Sequence, residues 1–583
     1  MTLSKNKEQI ALSAIFLLLL IPFLGPYRYY NATGFMNDML TVSCLTLLLF
    51  ATVIYCKKVV IPHYLSLLAI GGVFLVASTF FNSTYDQNRL NLVIWLVSVG
   101  LGSIAISSIK SQYANDDSFR FGMATYMLYS VFIIATIAFL AFYFANPFVK
   151  LTNIFFYYNS SLRMDSFLGQ PNLLAILLFL GVASYYYVSQ GISSRYISIL
   201  HSVMLFLIAY CLFATLSRVS ILALIVYLLY VTIFAIKERQ IKALAKLLTI
   251  VGMAYLTYKV VHPDLISMAI QNQWIPISAE STAQIENSGY HRATNLDHKL
   301  DEIKRALFVF SQNPIVGAGF GRYGYYSQQL TLAGWPVYIV GFPYHSHNII
   351  SQTLAEFGAI GGAALLSAIE LLMKLLVQSY QSKAHLLLFA VIIIFGLNAL
   401  FEYALWNLNF AILFFVLVAS FSNDKKFSFK VLKTPLLKLS YTVLFLGFSL
   451  ILVSRWSIIN TLNTIFSQPE NVVYAQTMTE DSLMGLDFSS IYLAGIKTTD
   501  SSDKEYAKEV TKMENWRPTD MVYYRKVQLN IGNNNVEDIT SNIDTALKLG
   551  AKTDTFEALL KTDCQNKNQA CLVAESYLNS LQK

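Results

Sequence analysis

The chain has 583 residues, a formal net charge of +8, 55% hydrophobic residues and only 13% charged ones. A soluble protein of that length would form about three or four domains with roughly 25% charged residues, so there is too little charge here to clothe a soluble surface. The same numbers exclude intrinsic disorder and a collagen-like chain, and five cysteines are too few for a secreted disulfide framework. Basic residues sit in short clusters between apolar runs, which is a membrane pattern. No basic patch interleaved with aromatics points to nucleic acid.

A spanning helix needs about 20 mostly apolar residues. That criterion predicts about 13 spans, at roughly 9–26, 36–56, 59–81, 91–109, 121–145, 171–189, 196–215, 218–236, 244–261, 348–379, 384–402, 404–421 and 437–457. Lys5 and Lys7 precede the first run, but no small-residue cleavage site follows it, so it reads as a retained span. Seventeen Lys and Arg fall on one set of short connections, among them Lys57, Lys58, Lys110, Arg120, Arg195, Lys237, Lys246 and Lys383; five fall on the other. The richer set belongs in the cytoplasm, which puts the N-terminus inside.

The expected organisation is an all-α polytopic membrane protein. Nine spans occupy 1–261, a large outer loop covers 262–346, four spans occupy 347–457, and a helical outer domain follows at 458–583. In that tail, 536–549 and 555–560 read as amphipathic helices and Gly550 as a helix C-cap. Spacing leaves open whether Cys564 and Cys571 form a disulfide or are unrelated thiols. Cys44, Cys56 and Cys211 read as packing residues.

Four polar segments stand at the outer ends of spans. In Arg163-Met-Asp-Ser-Phe-Leu-Gly-Gln170-Pro171-Asn172, Pro171 suits the first position of a helix; the alternative to a functional reading of Gln170 and Asn172 is a cap in an interfacial loop. In Ser217-Arg218-Val-Ser220, an arginine at the membrane edge must be paired, snorkelled or bound to an anion. In His345-Ser-His347-Asn348-Ile-Ile-Ser-Gln352, followed by Glu356 and Gly358, the two histidines cannot share a helix face, so at least one precedes the helix, with Ser346 or Asn348 as cap. A histidine at a helix N-terminus is held neutral by the dipole and can accept a proton, as a general base must; a structural role is the alternative. The fourth segment, Asn398-Ala-Leu-Phe-Glu402-Tyr403-Ala-Leu-Trp406-Asn407, places an acid beside an aromatic belt. The expectation is that four helix N-termini, arginines, histidines and an acid meet at one depth, where a phosphate would be held.

The outer loop adds Arg292, Lys299, Lys304, Arg305 and Arg322, with a Gly-rich stretch, Asn313-Pro-Ile-Val-Gly317-Ala-Gly319-Phe-Gly321, that would let backbone amides approach an anion. It lies in no βαβ unit, so a dinucleotide fold is not supported. The spacing of His291, Asp297, His298, Asp301 and Glu302 matches no metal motif, so no metal or other cofactor is expected.

These segments resemble the O-antigen ligase/polymerase (WaaL/Wzy) superfamily of bacterial glycosyltransferases. Within it they look most like the PglL/PilO-type protein O-oligosaccharyltransferases. The carriers are His347-Asn348-x-x-x-Gln352 with Glu356, Gly358 and Gly361; Asn313-Pro with Gly317 and Gly319; Ser217-Arg218; Arg163 with Gly169-Gln170-Pro171-Asn172; and Phe401-Glu402-Tyr403-Ala-Leu-Trp406. Leu173 and Ala404 stand where that branch usually has His and Pro. The resemblance covers roughly 160–420. It implies en bloc transfer of a glycan from undecaprenyl pyrophosphate to a Ser or Thr hydroxyl of a periplasmic acceptor such as a type IV pilin, at the bacterial inner membrane and without a metal.

It implies His347 as base, with Glu402 orienting it or an arginine. Arg218, Arg163, Arg305 and Arg322 would hold the pyrophosphate, and His345, Asn348, Gln352, Gln170, Asn172 and Tyr403 would bind substrate. The rivals are an O-antigen ligase or polymerase acting on a lipid or glycan acceptor and, from another class, a transporter. The transporter is disfavoured because ionisable residues concentrate at span ends rather than mid-membrane.

Overall fold

The computed structural model describes residues 2–24, 33–82, 86–152, 163–165, 168–275, 296–335, 344–380, 382–423, 426–430, 489, 493, 504–554, 556–558, 564 and 568–581. The expected thirteenth span, 437–457, lies outside them, as does Arg292. Among the described residues the protein is helical apart from one antiparallel ribbon, Lys58–Pro62 with Lys426–Lys430, in which Lys58 faces Lys430 and Pro62 faces Lys426.

Nine described helices are long and apolar enough to cross a membrane: Asn37–Tyr55, His63–Phe80, Asn88–Lys110, Asp116–Tyr143, Pro171–Ser189, Arg195–Ala214, Arg218–Lys237, Ile241–Gln271 and Ile349–Ser379. Three shorter apolar helices, Glu8–Phe23, His385–Phe401 and Leu408–Phe421, join them. All coincide with expected spans. The run expected at 244–261 continues through Pro263 to Gln271, so part of the expected outer loop is helix.

The chain divides into two units. The first comprises Met1–Ile70, Trp95–Thr294 and Leu366–Ser454. Its centre is Pro171–Ser189, apolar all round and buried along almost its whole length, as a helix without a polar face must be. It packs against Asp116–Tyr143, Arg195–Ala214 and His385–Phe401. One end of this unit gathers the basic connections. The Val60 N–H donates to Ser108 Oγ (2.9 Å), Arg120 Nη1 to Ser382 Oγ (3.1 Å), and Lys246 Nζ to the Ser198 carbonyl (3.3 Å).

Lys110 and Arg120 correct a sequence expectation. Counted there as loop charges, both are buried. The Lys110 ammonium donates to the carbonyls of Ser420 and Ser422 (3.0 and 2.8 Å) and lies 3.4 Å from Asp116, while Arg120 pairs with Asp117 (3.0 Å). Carbonyls at the end of Leu408–Phe421 carry the negative pole of the helix dipole, which a cation neutralises.

The second unit comprises Gly71–Ile94, Asn295–Leu365 and Arg455–Lys583. It holds two loop helices, Leu296–Gln312 and Tyr323–Leu332, and the tail helices Lys504–Trp516, Asp520–Gly532, Ile539–Lys548 and Gln569–Leu581. The tail has its own core, built on Val527, Ile531, Ile539, Ile543, Phe556 and Leu578. The Cys564–Cys571 disulfide is formed, and Cys44, Cys56 and Cys211 are buried thiols.

Candidate functional site

In the first unit, three sequence segments are drawn together at the end opposite the basic connections. Pro171 begins the central helix. Earlier in the chain, Arg163 donates from Nε to the Thr215 carbonyl (2.9 Å) and from Nη2 to Asn172 Oδ1 (3.1 Å). Glu402, buried, follows the helix His385–Phe401; its carboxylate accepts from Asn172 Nδ2 (2.9 Å) and Gln170 Nε2 (3.3 Å). Arg163, Asn172, Glu402 and Gln170 thus form one hydrogen-bonded chain. Tyr403, half-buried, follows directly.

Arg218 is the first residue of Arg218–Lys237; Ser217 caps that helix, its hydroxyl accepting from the Ser220 N–H. The guanidinium is exposed and has no ion pair or hydrogen bond among the described residues. An unpaired cation at a helix N-terminus adds its charge to the positive pole of the dipole, a natural seat for an anion. Glu402→Ala strips two part-buried amides of their acceptor. It is expected to cost about 1–3 kcal/mol, seen as earlier thermal unfolding in detergent; an unchanged melting curve would contradict the network's role.

In the second unit, the histidine segment precedes Ile349–Ser379. Asn348 is the cap: its Oδ1 accepts from the N–H groups of Ile350 and Ser351, both at 3.0 Å. Both histidines therefore lie outside the helix. His347 sits in the left-handed region (φ 54°), a conformation that costs a non-glycine residue energy and needs surroundings that fix it. A relay supplies part of that fixation. The Ser346 N–H donates to Gln352 Oε1 (2.7 Å), Gln352 Nε2 donates to Glu356 Oε1 (3.0 Å), and Glu356 Oε1 also accepts the Gly321 N–H (3.0 Å). Ser346, Gln352 and Glu356 are all buried. His345 is partly buried; loss of water, with the neighbouring His347 adding to it, lowers its pKa to about 3, so it stays neutral at physiological pH.

The Gly-rich stretch does something other than cradle a free anion. The helix Ile349–Ser379 breaks at Gly358 (φ 63°, ψ −154°). A break frees carbonyls before it and amides after it, and the loop satisfies both. Ala318 and Gly319 donate to the carbonyls of Ala355 and Glu356 (each 2.8 Å), while Ala359 and Ile360 donate to those of Pro314 and Ile315 (2.8 and 3.2 Å). Ser78 and Asn88 hold the loop from another side, donating to the carbonyls of Val316 and Phe320. The splice leaves no room at Gly317: with φ 71°, a Cβ there would lie 2.3 Å from the carbonyl carbon of Glu356. Gly317→Ala is expected to destabilise the protein by more than about 3 kcal/mol, from backbone strain plus overlap. Normal yield and normal thermal unfolding of that variant would refute the splice.

Arg305 and Arg322 lie in this same unit. Arg305 is buried, paired with Asp301 (2.8 Å) and donating to the Ser327 carbonyl and Thr331 Oγ1 (each 2.8 Å). Arg322 stacks 4.2 Å above Tyr325 and donates to the Asn515 carbonyl (3.0 Å). Glu302, considered in the sequence only as one of an unmatched metal set, is buried and hydrogen-bonded by Tyr323. Burial raises its pKa; Tyr323, Arg305 and His347 pull it back down. It is thus an acid within electrostatic reach of His347, a proximity that spacing along the chain did not reveal. Glu356, named in the histidine motif, stands four residues after Gln352 on the same helix face.

Residues 203–366 match a family model described as O-antigen ligase. That stretch includes Arg218, Arg305, Arg322, His345, His347, Asn348, Gln352 and the Gly358 break, and it supports the superfamily that the motifs resemble. The segments around Gln170 and Glu402, and the tail, lie outside it. No curated protein matches the chain.

Proposed function

We propose that this protein is a glycosyltransferase of the bacterial inner membrane that moves a glycan en bloc from undecaprenyl pyrophosphate to a Ser or Thr hydroxyl of a periplasmic protein, such as a type IV pilin. The observation that carries the reading is His347, held just outside a helix N-terminus by the Asn348 cap and the Ser346–Gln352–Glu356 relay, within the stretch matching O-antigen ligase. The basic connections gathered at one end of the first unit support a cytoplasmic side there, and with it the reading of Arg163, Arg218 and Glu402 as periplasmic.

In this reading His347 takes the acceptor hydroxyl proton. The oxygen attacks the anomeric carbon and forms the new glycosidic bond with inversion, while the bond to the pyrophosphate oxygen breaks and its electron pair leaves with undecaprenyl pyrophosphate. Stabilising the charge on the leaving diphosphate is the role given to Arg218, and Arg163 fixes the turn before that residue. Glu402 orients Asn172 and Gln170 towards substrate, with Tyr403 beside them. His345, Asn348 and Gln352 shape the acceptor side. Arg305 and Arg322, engaged with partners in their own unit, hold the loop in shape.

The family description favours one second reading, transfer to a lipid or glycan acceptor. Membranes carrying the protein, supplied with lipid-linked glycan and either a pilin or lipid A core, separate the two. Glycosylated pilin is the expected product; glycan on lipid A core alone would replace the protein acceptor with a lipid.

A further inference from the structure

The C-terminal tail reaches the histidine segment within the second unit. Its helix Lys504–Trp516 ends in a buried tryptophan, and the N–H of the next residue, Arg517, still donates to the Met513 carbonyl (2.7 Å). The Arg517 guanidinium lies 3.7 Å from the centre of the Trp516 ring and 4.5 Å from that of Tyr344. Tyr344 immediately precedes His345, their rings 6.4 Å apart. The adjacent Asn515 carbonyl is held by Arg322, itself stacked on Tyr325. One hydrogen bond, from Arg322 to the Asn515 carbonyl, and one arginine–aromatic contact, of Arg517 with Tyr344, therefore fasten residues 515–517 to the loop and to the front of the histidine segment.

On its C-terminal side the segment is held by the Asn348 cap and Gln352. On its N-terminal side the stack on Tyr344 supplies a clamp. A left-handed residue such as His347 keeps its backbone only while its surroundings over-determine it, and a misplaced base loses rate without losing substrate affinity. We propose that Arg517 is a positioning residue: by gripping Tyr344 against Trp516 it fixes the loop that presents His347, which makes the tail part of the catalytic apparatus. This rests on the reading of His347 as the base.

The test uses the full-length protein in proteoliposomes, with one defined undecaprenyl-pyrophosphate-linked oligosaccharide and a pilin acceptor. Arg517→Ala is expected to lower kcat on the order of tenfold or more, with the donor KM and thermal unfolding unchanged. Arg517→Lys, which keeps a cation over the rings, recovers part of the rate. Tyr344→Leu reproduces the loss while Tyr344→Phe retains most of the rate, and the double variant Arg517→Ala/Tyr344→Leu is no slower than either single one, as for two halves of one contact. Should Arg517→Ala fail to fold, the Tyr344 pair carries the test alone. Wild-type kcat in both Arg517→Ala and Tyr344→Leu, or losses that multiply in the double variant, would overturn the proposal. An active His347→Ala measured alongside would instead sink the underlying assignment of the base.

Discussion

His347→Ala is expected to lower glycan transfer by about 10²–10⁴-fold, the contribution of a general base placed at its substrate. The acceptor hydroxyl is a poor nucleophile while it keeps its proton, and the leaving diphosphate needs little help, so most of the chemical burden falls on the group that accepts that proton. Hydrogen bonds through Ser346, Asn348, Ser351 and Gln352 hold the segment, and none of these four is altered when the imidazole of His347 is removed.

The backbone offers a control for that removal. His347 occupies φ 54°, which glycine adopts without strain; His347→Gly is therefore expected to fold at least as well as His347→Ala and to be as inactive. Either variant retaining transfer within about twofold of wild type would remove His347 from the mechanism.

Arg218→Ala is expected to lower kcat/KM for the lipid-linked donor by about 10²–10³-fold, the range found when a preorganised donor to a developing oxyanion is lost. Arg218 stands exposed at the start of its helix with no ion pair or hydrogen bond among the described residues, so its removal leaves no internal partner stranded. Arg218→Lys restores the charge but not the planar fork that meets a phosphate through two hydrogen bonds, and an intermediate rate is expected. Steady-state kinetics at fixed ionic strength measure both; a donor kcat/KM within a few-fold of wild type in Arg218→Ala would place the diphosphate elsewhere.

The spans were legible because length and hydropathy suffice to specify a helix that must satisfy its own backbone inside a membrane. Caps and near-neighbour pairs were legible too: Asn348 was one of two expected caps, and Gln352 and Glu356 stand one turn apart. What escaped depended on partners distant in the chain. Lys110 and Arg120 looked like loop cations because the carbonyls they neutralise belong to residues some 300 positions later. Gly317 and Gly319 looked like an anion cradle because nothing in their own neighbourhood reveals the break at Gly358 that they splice. The bonds from Gln170 and Asn172 to Glu402 join segments 232 and 230 residues apart, and only the packing of the central helix brings them together.

The proposed reaction joins a lipid-linked glycan to a hydroxyl on a protein. Purified protein in proteoliposomes, given radiolabelled undecaprenyl-pyrophosphate-linked glycan and a pilin, tests it most directly. Label appearing on a pilin Ser or Thr, with an equal amount of undecaprenyl pyrophosphate released, is the predicted result. Label that remains on the carrier, or is carried across the bilayer with its lipid linkage intact, would contradict it.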